Sequence, residues 1–561
     1  MEIVDELKKI VGLPEAKFDH PKDERFGDYS TNVAMIIAKK ENRNPNEVAK
    51  ELVSKIDGGE LVEKTEVVGG FINFYLKKEV LKKSAEIINY DLEFKNGLAK
   101  YGVGKTMVID YSAPNIAKPF GIGHLRSTNI GQALYNIYRI LGWKSIGDNH
   151  LGDWGTQFGK MITALKRAEI YDLRFKIYEE GKKEIKIENL TIDDLEKLYV
   201  AFHKAAEEDK TLVDEAREWF AKLEKGDPEA REIWQKCVDI SLKEFNRVYE
   251  LLDVKIDNAL GESFYEKMLP GIVELFKNKK LVKESEGTWL VEFDKLPPAI
   301  LLKSDGATNY LTRDLATIKY RMETWNPDLI IYEVGSEQKL YFQQLFESAK
   351  LVGWEPKDGY KHIGHGLIRW KEGKFSTRKG DTIHLADVIE TAMEQAKKMA
   401  PENSHDEVET VAIGAIKFND LAQDPTKDII FDWDKVMSME GNSGPYLQYT
   451  YARCQSVLGK TKIQEQKNIE EAPSVVNDEE MALLREFYKF EEKIVEASER
   501  FNPAVIAEYL LTLSRKYNEF YAKHRIIDEK EETWRIFLTK TTASTIKVGL
   551  ELLGIKTLER M

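Results

Sequence analysis

Between Met107 and Gly147 the hydrophobic pattern changes period twice, and no other stretch limits the possible fold as much. Met107-Val108-Ile109-Asp110-Tyr111 is a short β-rich run. A turn containing Pro114 and Pro119 follows it. Ile130, Ala133, Leu134, Ile137, Tyr138 and Leu141 then recur at helical spacing, and Gly142 closes that face. Ser145-Ile146-Gly147 begins a second strand. Strand, turn, helix and strand in this order start a βαβ unit, which predicts a parallel sheet. Leu329-Ile330-Ile331-Tyr332-Glu333-Val334 and Lys361-His362-Ile363-Gly364 have the character of later strands of the same sheet.

Around this unit the chain divides further. Residues 1–80 suggest a small α+β unit. Asn44-Pro45 fits an N-cap with a first-turn proline, and Val48, Leu52, Val53 and Ile56 repeat at helical spacing. Gly69-Gly70 precedes the strand-like Phe71-Ile72-Asn73-Phe74-Tyr75-Leu76. Lys77 to Lys100 is polar and helical in pattern, and residues 81–103 are expected to link this unit to the next. Residues 160–250 are charged and helical, an expected insertion; 281–302 alternate like short strands. Lys460 to Glu480 is polar and expected to be a loop or hairpin. The end is helical: Asn502-Pro503 opens a helix with Ile506, Leu510, Leu513, Tyr517 and Phe520 on one face.

A chain of 561 residues is too long for one core. No apolar run reaches membrane-spanning length, and Met1-Glu2-Ile3-Val4-Asp5 does not open like a secretory signal. The isolated Cys237 and Cys454 fit a reducing cytosol and argue against a cysteine zinc site or a disulfide framework. The net charge of −13 makes nucleic acid a poor default partner, although it does not exclude a local basic groove.

Two segments some 250 residues apart carry the chemistry. Pro114-Asn115-Ile116-Ala117-Lys118-Pro119-Phe120-Gly121-Ile122-Gly123-His124 lies at the head of the first helix, and Lys374-Phe375-Ser376-Thr377-Arg378-Lys379-Gly380 lies late in the chain. Each combines flexible backbone, where phosphates must approach, with cations to meet their charge. Two decoys need separating from them. Ala99 to Thr106 nearly matches a phosphate-binding P-loop. However, a P-loop stands between a strand and a following helix, and here a strand follows Thr106. His362-Ile363-Gly364-His365 has no helix after it and is expected to be strand. Its two histidines lack further candidate ligands for a metal site.

Ser112 to Ser127 resembles the corresponding segment of arginyl-tRNA synthetases, a class I family. So do Asp148-Asn149-His150-Leu151-Gly152-Asp153-Trp154-Gly155, Asn309-Tyr310-Leu311-Thr312-Arg313-Asp314, the Lys374 loop, Asn442 to Arg453, and the closing Leu552 to Met561. The resemblance spans essentially the whole chain. It implies a multidomain α/β protein: an N-terminal α+β tRNA-binding domain (1–80), a Rossmann-like parallel-sheet catalytic domain with insertions (104–443) and an all-α anticodon-binding bundle (444–561). Two departures stand out. The family usually has histidine where this chain has Gly121, and Thr377 stands where class I enzymes generally have a second lysine.

The activity implied is ligation of arginine to tRNA(Arg) through an arginyl-adenylate, with ATP as substrate and magnesium arriving with it. No protein-bound zinc is expected. Lys118, Gly121, Gly123, His124, Gly335, Lys374, Ser376, Arg378 and Lys379 are the implied ATP-site residues, with Lys118 substituting for the missing second lysine. Asn115, Glu262, Tyr310, Asp314 and Gln338 match positions expected to hold L-arginine. A guanidinium is a planar fork of donors, which carboxylates meet. Helix capping by Asp314 and a surface position for Glu262 are the alternatives. Phe71, Asn73, Tyr446, Gln448, Tyr449 and Arg453 are the implied tRNA contacts, although an aromatic stripe such as Tyr446, Tyr449 and Tyr451 is more often helix core. A monomeric, cytoplasmic enzyme without a membrane partner is expected. A relative without catalysis, a P-loop NTPase, and class I specificity for another amino acid are the competing functions.

Overall fold

The computed structural model describes residues 3–167, 187–371, 384–463, 473 and 476–561. Its centre is a five-stranded parallel sheet. The strands are numbered along the whole chain. β1 (Tyr29–Thr31), β2 (Val62–Val68) and β3 (Phe71–Leu76) form an N-terminal antiparallel sheet with β3 in the middle. β4 (Thr106–Asp110), β5 (Lys144–Asn149), β6 (Asn258–Ala259), β10 (Leu329–Gly335) and β11 (Tyr360–His365) form the central sheet in the order β11-β10-β4-β5-β6. β7 (Val282–Ser285), β8 (Thr288–Val291) and β9 (Ala299–Leu302) make a separate antiparallel sheet, and β12 (Ile368–Trp370) pairs with β13 (Ile429–Phe431).

β4 is an apolar run whose Met107, Val108 and Ile109 are buried, as a strand covered on both faces requires. The Ile122–Ile140 helix follows it and packs back on the sheet. Its Gly131 makes that contact possible, because a Cβ there would come within 2.3 Å of Tyr111. β4 pairs in parallel with β5 on one side and β10 on the other. The chain moves outward from β4 through β5 to β6, then returns to β10 and moves outward the other way to β11. The order reverses between β4 and β10. In open α/β sheets ligands bind in the crevice outside the carboxyl ends of the strands at such a point. A buried ion triad ties the sheet beneath this crevice: Arg321 donates to Asp110 at 2.8 Å and to Asp148 at 2.7 Å.

The segment expected as a linker is not free. The Lys78–Asn89 and Asp91–Leu98 helices pack against the C-terminal bundle, with Asn89 donating to Thr541 at 2.6 Å and Phe94 stacked on Phe490. The N-terminal domain is clamped to the same bundle. His20 meets Glu492 at 2.7 Å, Tyr29 donates to the same carboxylate, and Lys516 bridges Glu24 and Glu486. One continuous apolar core therefore runs from Ile3 to Ile555. Of the expected 460–480 loop, residues 464–472 and 474–475 lie outside the described residues, and Asp478–Phe487 is a helix capped by Asn477. Among the described residues no helix is long and apolar enough to cross a membrane.

Candidate active site

The β4–helix connection is built under strain. Ser112, Ala113 and Ala117 all adopt positive φ, at 75°, 41° and 63°. Such conformations cost roughly 1–3 kcal/mol each and persist where surrounding structure over-determines them. Here the surroundings are explicit. Ser112 N–H donates to Ser127 Oγ, Ala113 N–H to Asn149 Oδ1 and Ala117 N–H to Ser241 Oγ, each at 2.9 Å. Tyr249 couples two of these anchors through Ser112 and Asn149. The loop is thereby fixed to β5 and to the Pro228–Leu251 helix of the insertion.

At the end of this loop Gly121 is the N-cap of the Ile122–Ile140 helix. His124 closes the first turn: its Nδ1 accepts from Gly121 N–H at 3.2 Å, and its N–H donates to Gly121 O at 3.0 Å. Burial lowers the His124 pKa, and nearby Lys118 and His365 push the same way. The ring therefore favours the neutral form. Lys118 extends from the loop over Tyr199, 5.5 Å from the ring centroid. A Cβ on Gly123 would meet nothing within 4 Å, so the first helical turn faces open space. Gly335 ends β10 next to this turn, and a Cβ there would collide with the Glu337 carboxylate at 2.3 Å. His362 and His365 are strand residues of β11, as expected; His365 Nδ1 lies 2.9 Å from Glu333. Lys374, Ser376, Arg378 and Lys379 lie outside the described residues.

A cavity of about 790 Å³ opens beside the loop. Asn115, Lys118, Tyr199, Glu262, Tyr310 and Arg313 are among its lining residues. Asn115 reaches it because Gly152 opposite has no side chain; a Cβ there would lie 2.2 Å from Asn115 Oδ1. Glu262 starts a short helix pinned by Asp153, which accepts from Ser263 N–H at 2.8 Å and Ser263 Oγ at 2.6 Å. Burial pushes the Glu262 pKa up to about 7; Arg313 opposes the shift and the neighbouring acids reinforce it. Tyr310 is 64% exposed at the mouth.

The structure divides the expected arginine-binding set. Asn115, Glu262 and Tyr310 share the cavity, whereas Asp314 and Gln338 are not among its lining residues. Asp314 takes a hydrogen bond from Tyr341 and lies 3.7 Å from His150, one layer deeper. Burial raises its pKa against the pull of His150 and Tyr341. Gln338 is exposed on the turn after β10. Sequence reasoning passed over Arg313, which pairs with Glu262 at 3.3 Å. The available signal was its place three residues after Tyr310, on the same helical face.

A family model described as "tRNA synthetases class I (R), catalytic domain" matches residues 88–433. Models for the arginyl tRNA synthetase N-terminal domain and the DALR anticodon binding domain match residues 1–76 and 447–561. The arginine–tRNA ligase of Clostridioides difficile is 40% identical over 558 residues, covering 98% of this chain and 96% of the relative. The chain belongs to the arginyl-tRNA synthetase family. The arginine–tRNA ligase of Halothermothrix orenii is 38% identical across all of this chain and 96% of its own. Among solved structures, the arginyl-tRNA synthetase of Plasmodium falciparum superposes with a TM-score of 0.81 at 26% identity, covering 100% of this chain and 98% of that one.

The region matched by the anticodon binding domain model begins within the Gly444–Leu458 helix. Tyr446, Tyr449 and Arg453 share a partly exposed face. Arg453 stands over the Tyr449 and Tyr521 rings at 4.7 and 5.0 Å and donates to Asn518 at 2.5 Å. Gln448 needs correcting as an RNA contact. It is fully buried, donating to Thr410 O at 3.1 Å and Lys556 O at 2.9 Å, and it packs where Gly414 leaves room. Tyr451 is core as well, at 4% exposure. In the N-terminal sheet Phe71 is 43% exposed but Asn73 only 3%; Asn73 is flanked by Ser30 of β1 and Glu66 of β2, whereas Phe71 pairs only with Val68 of β2. Asn73 is therefore a sheet residue rather than an exposed RNA contact.

Proposed function

We propose that the protein ligates L-arginine to the 3′-terminal adenosine of tRNA(Arg), using ATP and working in the cytoplasm. One observation carries this assignment: a single cavity is lined by both Lys118 of the strained loop and Glu262 of the acidic wall. An anionic triphosphate and a guanidinium would each have their charge met within that one cavity.

In the first step an oxygen of the arginine carboxylate attacks the α-phosphorus of ATP. A P–O bond forms, the bond to the bridging oxygen breaks, and pyrophosphate leaves. Nothing in this step needs a protein nucleophile; it needs positioning and charge neutralisation. Lys118 and His124 serve the phosphates, together with the open backbone at Gly121 and Gly123. Gly335 offers backbone beside the base. Lys374, Ser376, Arg378 and Lys379 add donors from the second segment. Magnesium arrives with the triphosphate; among the described residues no three metal-ligating side chains cluster. Glu262 takes the guanidinium, Asn115 the amino-acid end, and Tyr310 covers the stem; Asp314 and Gln338 support the site from outside the cavity lining. In the second step the terminal 2′-hydroxyl of tRNA attacks the arginyl carbonyl, and AMP leaves. Phe71 and the Tyr446, Tyr449 and Arg453 face are the candidate tRNA contacts, offering rings on which bases stack.

The test is arginine-dependent exchange of pyrophosphate into ATP, measured with and without tRNA(Arg). Exchange with tRNA present is expected, and Lys118→Ala should lower its rate by roughly 10²–10³-fold. Absence of exchange in the intact protein with tRNA would refute the assignment.

A further inference from the structure

Gly121 brings no side chain to the nucleotide loop, and a residue 263 positions away stands opposite it. Gly121 and His384 face each other in an isolated antiparallel bridge. The adjacent Leu385 N–H donates to Phe120 O at 3.0 Å, which fixes the register. Residues directly opposed in an antiparallel pair project their side chains to the same face, with Cβ atoms about 5 Å apart. The His384 imidazole therefore occupies the side to which a side chain at position 121 would point.

Both partners are also N-caps. Gly121 caps the nineteen-residue Ile122–Ile140 helix and His384 the fifteen-residue Leu385–Met399 helix. Two positive helix ends thus meet at the bridge, which favours an anion there. The His384 side chain makes no capping hydrogen bond and is only 18% exposed. Its Nε2 lies 3.4 Å from Glu196 Oε2. Its Nδ1 is buried and has no hydrogen-bond partner among the described residues. A buried ring nitrogen without a partner calls for an explanation, and a ligand atom supplies one. Glu196 belongs to the Ile192–Glu208 helix, whose Tyr199 lies beneath Lys118. That helix therefore contacts both His384 and the loop.

We propose that His384 is an ATP-binding residue that takes the place of the histidine missing at Gly121. With Nε2 beside the Glu196 carboxylate, the ring presents Nδ1–H to a phosphate oxygen of ATP. No bond is made or broken. The proposal rests on the ATP site assigned above and adds to it a residue contributed from beyond the second segment.

The experiment is steady-state ATP–pyrophosphate exchange by the full chain with tRNA(Arg), varying ATP and arginine separately. His384→Ala should raise the KM for ATP by about tenfold, the worth of one charge-assisted hydrogen bond, and leave the KM for arginine unchanged. Adding Gly121→His to His384→Ala should recover most of the loss, an outcome that a merely structural histidine would not give. His384→Phe, which keeps a ring of similar size but removes its donors, gives the same comparison if the alanine variant folds poorly. An ATP KM within about twofold of the unaltered protein, a parallel rise in arginine KM, or no recovery in the double variant would each overturn the proposal. Activity of the unaltered protein reads out the proposed function separately, so failure of one is not mistaken for failure of the other.

Discussion

Replacing Glu262 by glutamine should make the protein more stable and a worse binder of arginine. The reason is its burial, which pushes the pKa from an ordinary 4.5 to about 7. The folded carboxyl holds its proton more tightly than the unfolded one, so stability is lost as pH rises between those values and stays lost above them. At about 1.4 kcal/mol per pH unit, the ionised group costs the protein about 3 kcal/mol. Glutamine keeps the shape without the charge and removes that cost. The arginine guanidinium, which does not titrate, needs the charge. With a pKa of about 7, Glu262 is about nine-tenths ionised at pH 8 and about one-tenth at pH 6. Calorimetric titration of arginine into the protein should therefore show affinity falling about tenfold from pH 8 to pH 6. Glu262→Gln should bind about 10–100-fold more weakly at pH 8, with no such slope. A flat affinity in the unaltered protein, or the same slope in the variant, would refute the assignment. If Glu262 served only to hold Arg313, the variant would instead be less stable above pH 7.

Gly152→Ala places a methyl on the Asn115 amide, and should raise the KM for arginine by about tenfold in exchange assays while sparing the KM for ATP. Arg321→Ala leaves Asp110 and Asp148 buried and unpaired, and should destabilise by about 3–5 kcal/mol in denaturant titration of the catalytic domain's transition. Gln448→Ala strips the donor from Thr410 O and Lys556 O and should cost about 1–3 kcal/mol. Filter binding should show no selective loss of tRNA affinity in that variant at temperatures where it remains folded.

The sheet and its first ligand loop were legible because they are written locally. A strand, a loop with two prolines and a helix whose buried face closes at Gly142 follow each other within about forty residues. The anticodon-side helix was legible for the same reason, but its facing was not. Tyr446 and Gln448 are two residues apart, and two steps of 100° turn a side chain from the edge of one face into the core behind it. Asp314 escaped in the same way: one step past Arg313, it turns from the cavity to Tyr341. The Gly121–His384 bridge leaves no local trace, since its partners share no periodic pattern and lie on opposite sides of the second segment.

The clamp between the two ends of the chain has a bearing on how the protein is made. Glu492, the partner of His20, is synthesised 472 residues after it. At about 5–20 residues per second, the N-terminal domain emerges from the ribosome roughly half a minute to a minute and a half before its docking surface exists. During that interval the apolar face that will meet the last helices is uncovered. A nascent-chain chaperone has its longest opportunity there, and a ribosome stalled before the final bundle would release a protein with a finished sheet and an open flank.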